Sequence, residues 1–370
     1  MWSVIIGSLT AVAIGGCIYL YTRFQRFAII RRLAGEKMVI RRLLALIPIL
    51  GFVVYYPFNQ MRAIAMVLHV VVFWLLGDLT GWIINRKRKV GKRDKNSLRP
   101  YYTGLFVLVF STVYLFMAWY LVSHVWRTEY DLKTDKDPGQ DTLKVVMISD
   151  SHIGATFDGE GFAEHLKEMQ NENPDILVIV GDYVDDDTKK EDMIRSCQAL
   201  GRFNTKYGIY YVFGNHDKGY YNFRDFTYAD LITELKENGV VVLEDEATLI
   251  NDSFYVIGRM DKREAGRKSV SDLVTGLDHE KYMIMLDHQP ADYDTQAEAG
   301  VDLVLSGHTH GGQIFPFNYV GEWFGTYDRT YGYEKRNGTD FVVSSGIADW
   351  SLAFKTGTKS EYVVISISRE

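Results

Sequence analysis

The sequence predicts a chain of two parts: an N-terminal module of four membrane-spanning helices and a C-terminal α/β domain. Three observations support this prediction. Apolar runs of membrane length occur in the first third of the 370 residues. Residues 1–125 contain 16 Lys and Arg but only 3 Asp and Glu, whereas the remaining residues contain 25 and 44. After residue 142, short apolar runs alternate with helical patterns, which is typical of sheet strands buried by helices.

Four stretches of the first part are long and apolar enough to cross a membrane. Three carry no charge, and the third in order is interrupted only by Asp78. A spanning helix needs about 20 mostly apolar residues. We therefore expect a transmembrane module at 1–126, with spans at about 2–22, 43–60, 63–84 and 101–125. No Lys or Arg precedes the first apolar run, which argues against a cleaved signal peptide.

The basic residues of the first part predict the orientation in the membrane. Loop 23–42 carries seven Lys and Arg and loop 85–99 carries eight, but the connection at 57–62 carries one. Short loops rich in Lys and Arg stay in the cytoplasm. The prediction is a multi-pass protein of the cell membrane, with the N-terminus and everything after residue 126 outside. As an alternative, the basic loops could bind anionic lipid or nucleic acid, but the acidic second part argues against a nucleic-acid partner.

The second part begins with a predicted polar linker at 127–142, which contains a Pro-Gly pair. The domain itself is predicted at 143–370. Its apolar runs predict strands at 143–149, 175–180, 208–212, 282–286 and 301–306, and helical spacing predicts helices at 161–171, 188–203 and 228–238.

Polar side chains follow each of the five predicted strands. In open α/β sheets, ligands bind at the carboxyl edge of the strands, so we expect these side chains to meet there. Seven of them could bind a metal ion: Asp150, His152, Asp182, Asn215, His288, His308 and His310.

Seven ligands are enough for two divalent ions that share one carboxylate. A mixed nitrogen and oxygen set without thiolate suits Mn, Fe or Zn, and among these we favour Mn. Two such ions about 3.5–4 Å apart would lower the pKa of a bridging water and hold the oxygens of an in-line displacement. His216 could then protonate the leaving group as a general acid.

Five motifs in the second part stand in a characteristic order: DSH (150–152), GDYVDD (181–186), GNHD (214–217), DHQP (287–290) and GHTHGGQ (307–313). In order and spacing they resemble the calcineurin-like metallophosphoesterase superfamily, over residues 143 to about 350. The resemblance implies an α/β metallophosphoesterase domain, built as a two-sheet β-sandwich flanked by helices, with a binuclear metal site.

The resemblance also implies a role for each motif residue. One ion would be bound by Asp150, His152, Asp182 and His310, and the other by Asp182, Asn215, His288 and His308, with Asp182 bridging. It further implies that His216 is the proton donor and that Asp217 orients it. Gly311 and Gly312 are expected to let the backbone approach the bound ions and substrate closely.

The HGGQ end of the last motif is similar to membrane-attached bacterial phosphoesterases, some of which act on lipid-linked nucleotide diphosphates. Ser151 and the segment 344–354 depart from the family pattern. The main hypothesis is a membrane-bound phosphoesterase that uses metal-activated hydroxide on a phosphodiester or diphosphate, carried on a lipid. One alternative is a broad phosphomonoesterase or nucleotide phosphohydrolase acting on soluble substrates. Another is a membrane sensor or transport partner whose outer domain binds a phosphorylated ligand, with Asp78 and the count of four helices as its support.

Two further features have competing interpretations. The acidic run 185–187 is expected to be a solvated helix start, although it could also favour metal uptake. The aromatic segments 220–228 and 315–333 would suit a lipid or the membrane interface, or else a second small core under a long loop.

Overall fold

A computed structural model describes residues 2–87, 101–221, 224–350, 352 and 354–370. It divides the chain into two compact units, Met1–Ala118 and Trp119–Glu370. The predicted basic loop 85–99 lies outside the described residues from position 88 onward.

The N-terminal residues fold as helices separated by short turns. The described helices there are α1 (Trp2–Phe24), α2 (Ala28–Ala34), α3 (Met38–Tyr55), α4 (Gln60–Lys87) and α5 (Tyr102–Ser123). By length and composition, three helical stretches of the described residues could cross a membrane: Met38–Tyr55, Gln60–Ile84 and Tyr102–Ser123. The part of the chain that the structure describes thus offers three candidate spans, not the predicted four. The first predicted span is helical over Trp2–Phe24 but is not among these three.

Asp78 lies in α4 and has hydrogen-bonding partners from neighbouring helices. The hydroxyl of Tyr19 donates to it at 2.8 Å and the hydroxyl of Tyr101 at 3.1 Å, and the guanidinium of Arg23 lies 2.6 Å away. Its charge is thus compensated by contacts that hold α1, α4 and the start of α5 together. The structure favours a structural role for Asp78 and removes the support it gave to a transport function.

The second unit contains two mixed six-stranded sheets. Sheet A has the order β1-β12-β2-β3-β4-β5, and sheet B has the order β10-β11-β9-β8-β7-β6. The strands are β1 (Val125–Thr134), β2 (Thr142–Ile148), β3 (Ile176–Val180), β4 (Ile209–Val212), β5 (Val240–Val242), β6 (Glu246–Ile250), β7 (Phe254–Gly258), β8 (Tyr282–Leu286), β9 (Leu303–Ser306), β10 (Gly332–Arg336), β11 (Thr339–Val343) and β12 (Ser360–Arg369).

Helices cover the outer faces of both sheets. They are α6 (Gly159–Gln170), α7 (Lys190–Leu200), α8 (Tyr228–Glu237), α9 (Val270–Val274) and α10 (Tyr293–Glu298). A short further helix, α11 (Val320–Trp323), buries no residue. Three of these helices begin with side-chain caps: Asp158 accepts from the N–H of Gly161, Thr227 forms a capping box with Asp230, and Ser269 accepts from the N–H of Asp272.

The period of two along each strand decides which core a side chain joins. In β2, Val145 and Met147 pack into the core between the two sheets, whereas Val146 and Ile148 pack under helices α6–α8. A third core lies between sheet B and helices α9 and α10. The result is a four-layer α/β domain with two mixed sheets, which confirms the predicted α/β fold and each of the five predicted strands.

The structure differs from the prediction at the linker. Residues 127–134 continue a ten-residue strand, β1, which pairs in parallel with β12 from Val125 opposite Ser360 to Thr134 opposite Arg369. The polar composition that suggested a linker reflects an edge strand whose side chains are mostly half-buried or exposed.

Candidate metal centre

The candidate site is built by loops that leave one edge of the two sheets. Strands β2, β3 and β4 of sheet A and β8 and β9 of sheet B run parallel within their sheets, so their carboxyl ends lie together. The turns that follow these strands carry the predicted residues Asp150, His152, Asp182, Asn215, His216, His288, His308 and His310.

One cluster consists of Asp150, His152 and His310. Their potential ligand atoms all lie within 4.8 Å of one another. His310 Nε2 is 3.5 Å from Asp150 Oδ1, and the rings of His152 and His310 stack with centroids 5.1 Å apart. All three side chains are buried.

The second cluster consists of Asp182, His288 and His308, again within 4.8 Å. His288 Nε2 lies 3.1 Å from Asp182 Oδ2, while its Nδ1 lies 2.8 Å from the carbonyl oxygen of Val180. That backbone contact makes Nδ1 a hydrogen-bond donor, so Nε2 is the nitrogen that faces the cluster.

Asp182 joins the two clusters. Its Oδ2 atom, which faces His288, is also 3.8 Å from His152 Nε2 in the first cluster. The two clusters are therefore adjacent, with Asp182 between them. The six residues divide into the same two groups that the motif resemblance implies. Their ligation of metal stays a prediction.

The residues present fit divalent ions. Several of their buried nitrogen and oxygen atoms have no hydrogen-bonding partner among the described residues, including His152 Nε2, His308 Nδ1 and Asn215 Oδ1. An unpaired buried polar atom costs about 1–3 kcal/mol. A cation would satisfy these atoms, and a set of imidazole, carboxylate and amide groups suits Mn, Fe or Zn.

The backbone of the site is strained. Five of the predicted ligands have left-handed φ angles: Asp150 (53°), His152 (37°), Asp182 (52°), His308 (71°) and His310 (49°). Each such conformation of a residue other than glycine costs about 1–3 kcal/mol and is typical of functional sites. In these left-handed conformations, successive side chains can point to the same side. In a regular strand they would point to opposite sides.

Burial would lower the pKa of His152 and His288, but the neighbouring carboxylates outweigh it and raise the pKa, to about 9 at His152. Burial prevails at the other two histidines of the clusters. It lowers the pKa of His308 to about 3 and holds that of His310 well below its usual value. Both rings are therefore neutral near pH 7, which is the form that binds a metal ion. Burial would raise the pKa of Asp182, but the adjacent His288 outweighs it and holds that pKa well below its usual range.

Asn215 and His216 follow β4 at the same edge. The Asn215 amide donates from Nδ2 to the hydroxyl of Tyr220 at 2.8 Å, which turns Oδ1 inward. The His216 ring contacts the rings of His152, Tyr220 and Trp350, with centroids 5.0, 4.9 and 5.2 Å away. Burial lowers its pKa to about 4.

Asp217 is buried between the turns that carry Asp182 and Asn215. Its carboxylate accepts hydrogen bonds from the backbone N–H groups of Asp182, Tyr183, Val184 and Gly214, at 2.7–3.1 Å. It therefore holds the turn that carries Asp182 against the turn that carries Asn215. These contacts support a role in the loop backbone, whereas its predicted role in orienting His216 stays a prediction.

Gly311 and Gly312 both have left-handed φ angles, 61° and 73°. A Cβ atom on Gly311 would lie 2.4 Å from Thr358, and one on Gly312 would lie 2.2 Å from the backbone of Asn318. Close packing of the chain on itself explains both glycines, and a substrate contact at either stays a prediction.

Comparison with known proteins identifies the family. The calcineurin-like phosphoesterase model matches residues 143–312. An uncharacterized metallophosphoesterase of Aquifex aeolicus is 34% identical over 210 residues, which cover 54% of this chain and 76% of that protein. The chain belongs to the calcineurin-like phosphoesterase family. It is a metallophosphoesterase, a hydrolase of phosphoric ester or anhydride bonds, and its family uses divalent metal ions.

Other relatives of this metallophosphoesterase extend over more of the chain. One from Campylobacter jejuni is 29% identical over 289 residues, covering 75% of this chain and 73% of that protein. A transmembrane protein with metallophosphoesterase domain from Bos taurus is 28% identical over 295 residues, covering 74% and 64%. With the three apolar helices, these similarities support membrane association.

Sequence reasoning missed two acidic residues of the metallophosphoesterase site. Asp185 was expected in a solvated helix start, but it is buried and its Oδ2 lies 3.4 Å from His152 Nδ1. Asp349, in a segment noted only as a departure from the family pattern, lies 3.4 Å from His310 Nδ1. For Asp185 the available signal was its position three residues after Asp182, on the turn that ends β3.

Proposed function

We propose that this protein is a membrane-bound phosphoesterase that uses two divalent metal ions, Mn²⁺ by preference, to hydrolyse a phosphodiester or diphosphate bond of a lipid-linked substrate. The observation that carries the binuclear site is the pair of largely buried clusters that meet at Asp182, with several imidazole nitrogens that have no hydrogen-bonding partner among the described residues. Their six residues, with Asn215, would hold the ions.

The ions would supply a hydroxide nucleophile and neutralise charge at the phosphorus. The chain's own residues bind and orient the substrate around them. Arg263 Nη1 donates to the Tyr220 hydroxyl, which in turn accepts from Asn215, so its guanidinium lies on the Asn215 side of the site. A phosphate oxygen there would gain a charge-assisted hydrogen bond.

His216 is the proposed proton donor to the leaving oxygen. Its ring lies over the first cluster beside His152 and is mostly buried, with a pKa of about 4. A bound phosphate would place negative charge beside the imidazole and raise its pKa, since nearby opposite charge favours the protonated form. The proton would then be available when the substrate is present.

The three candidate spans and the basic residues support the proposed sidedness of the membrane. The basic residues of 23–42 lie before α3 or at its start, and the basic residues after α4 precede α5. With both in the cytoplasm, α3 and α4 form a hairpin and α5 leads outward, so the phosphoesterase domain lies outside the cytoplasm whether or not α1 crosses. An external N-terminus would need a fourth crossing and is not proposed.

Exposed aromatic side chains support a lipid-linked substrate. In the segment 315–333, Phe315, Trp323 and Phe324 are 61%, 70% and 81% exposed. Large aromatic side chains in this setting suit the interface of a bilayer. The segment 220–228 gives weaker support, because Phe226 is buried and residues 222–223 lie outside the described part.

Purified full-length protein in detergent with Mn²⁺ tests the chemistry. Asp182→Asn, His216→Ala and His308→Ala should each lose at least about 100-fold in turnover of an aryl phosphodiester, a size typical of lost acid–base or metal function. His279→Ala, at an exposed histidine of the same unit, should keep wild-type turnover. Full activity in all three site variants would refute the assignment.

The lipid preference has its own test. A lipid-linked and a water-soluble substrate with the same phosphorylated headgroup are compared, in the wild type and in the double variant Trp323→Ala, Phe324→Ala. The double variant should lose kcat/KM on the lipid-linked substrate alone, while Leu249→Ala, at an exposed leucine of β6, should lose it on neither. Equal wild-type rates on both substrates would favour a phosphohydrolase of soluble molecules.

A further inference from the structure

The segment 344–358, which follows the last strand of sheet B, packs against the HGGQ turn of residues 310–313. The N–H groups of Thr356 and Gly357 donate to the carbonyl of Gln313, at 2.8 and 3.2 Å, and the Thr358 hydroxyl donates to the carbonyl of His310 at 3.1 Å. From the sequence alone, the HGGQ motif and the segment 344–354, which departs from the family pattern, are separate features. In the structure they contact each other.

Asp349 is the group of this segment that reaches the metal centre. It is fully buried, and its Oδ1 lies 3.4 Å from Nδ1 of His310. The other nitrogen of the same ring, Nε2, faces Asp150 of the first cluster at 3.5 Å. The His310 ring therefore lies between a carboxylate of the cluster and a carboxylate outside it.

The Asp349 carboxylate is itself fixed in place. Its Oδ1 accepts from the side-chain amide of Gln313 and from the N–H of Trp350 at 2.9 Å, and its Oδ2 accepts from the N–H of Phe354 at 3.3 Å. Lys355, also fully buried, donates to the carbonyls of Ser345 and Ala348 at 2.5 and 3.1 Å. Its ammonium supplies the positive charge that a buried carboxylate needs nearby.

We propose that Asp349 is a positioning residue that fixes the tautomer and direction of His310, and that Gln313, the last residue of GHTHGGQ, acts through Asp349. A metal-binding histidine uses one nitrogen for the metal and donates from the other, and a carboxylate at the second nitrogen holds the ring in the binding tautomer. Here that carboxylate keeps the proton on Nδ1 and directs Nε2 to the first cluster.

The same arrangement occurs twice in the first cluster. Asp185 Oδ2 lies 3.4 Å from Nδ1 of His152, whose ring stacks on that of His310. The proposal also gives Gly311 and Gly312 a function. Their left-handed conformations bring the chain back on itself within one turn, so that the Gln313 side chain reaches Asp349, and any side chain at 312 would meet the Asn318 backbone.

The inference rests on the proposed binuclear function, and its test measures metal binding rather than turnover. Mn²⁺ is titrated into metal-free full-length protein in detergent against a fluorescent chelator, and thermal unfolding is followed in chelator alone. Asp349→Asn should weaken one of two Mn²⁺ equivalents by about 10–100-fold, the usual effect of losing such a partner. Asp252→Asn, at an exposed aspartate of the same unit, should bind both ions as the wild type does.

Gln313→Ala keeps the carboxylate and guards against misfolding of the first variant. It should weaken the same equivalent by less, and excess Mn²⁺ should restore turnover in both variants. Wild-type affinity for both ions in Asp349→Asn and Gln313→Ala would overturn the inference. So would a lower unfolding temperature in chelator with both affinities unchanged, which marks a structural role alone. A wild type that binds no Mn²⁺ would instead overturn the proposed function.

Discussion

Replacing Gly181 by alanine tests whether close packing against His288 is needed for the second cluster. A second glycine provides a control for the cost of a left-handed backbone. Gly181 has φ +77°, and a Cβ atom there would lie 2.4 Å from His288 Nδ1 and 2.7 Å from the N–H nitrogen of Gly214. Gly239, after helix α8, has the same φ of +77°, but a Cβ atom there would meet no heavy atom within 4 Å. Gly239→Ala is therefore a matched control: it places an alanine in the same left-handed conformation but brings its Cβ atom into contact with no other group.

The two substitutions differ by the displacement of His288. A left-handed alanine costs about 1–2 kcal/mol in either variant. In Gly181→Ala the His288 ring must also move by about 1 Å to reach ordinary contact, because that contact begins at 3.4 Å. The hydrogen bond between His288 Nδ1 and Val180 O, now 2.8 Å, is then lost. An unpaired buried group adds about 1–3 kcal/mol, so the total for Gly181→Ala is about 2–5 kcal/mol.

Two measurements on full-length protein in detergent check this difference. Thermal unfolding in chelator should give a lower midpoint for Gly181→Ala than for Gly239→Ala, by about 2–4 °C for each kcal/mol in a domain of this size. Elemental analysis after exposure to limiting Mn²⁺ should find about two ions in Gly239→Ala and about one in Gly181→Ala, since losing the partner of a ligand weakens affinity about 10–100-fold. Equal midpoints and equal metal content would refute the reasoning.

Two further predictions concern the core of the phosphoesterase domain. Phe162 is fully buried, with its ring centroid 5.4 Å from that of Tyr183, so Phe162→Ala should lower the free energy of unfolding, measured in urea, by about 3–5 kcal/mol. Phe324→Ala, at a side chain that is 81% exposed, should leave it nearly unchanged. Equal losses in the two variants would contradict the assigned packing. In a Cys17→Ser background, iodoacetamide at pH 8 should label Cys197 only after the protein unfolds. Burial excludes the reagent from this thiol and raises its pKa to about 12. Rapid labelling of the folded protein would contradict the burial of Cys197.

The predictable parts of the fold are those with a local signal. Strands β2, β3, β4, β8 and β9 are apolar runs buried on both faces, and each ends in a polar turn that marks the edge of the sheet. Because parallel strands place their carboxyl ends together, the sequence also predicted which side chains would meet. Six of them do so in two clusters.

The parts that could not be predicted depend on partners distant in the chain. Strand β1 has a polar composition, and its register is set by β12, whose partner residues lie 235 positions later. Asp349 lies 39 positions beyond His310 and in no recognised motif, yet folding brings their side chains to 3.4 Å. Local periodicity carries no information about such pairs. The segment around each residue has the composition of an edge strand or a loop and does not show which distant segment it contacts.

The environment of Asp217 shows how the fold sustains a strained site. Five predicted ligands hold left-handed conformations, each at a cost of about 1–3 kcal/mol that the surrounding contacts must offset. Asp217 places one buried carboxylate against four backbone N–H groups of the two turns that carry Asp182 and Asn215. Charge-assisted hydrogen bonds are about twice as strong as neutral ones, so a single side chain can hold both turns. The aspartate of GNHD would then be required for the shape of the metal centre, even where the neighbouring histidine performs the chemistry.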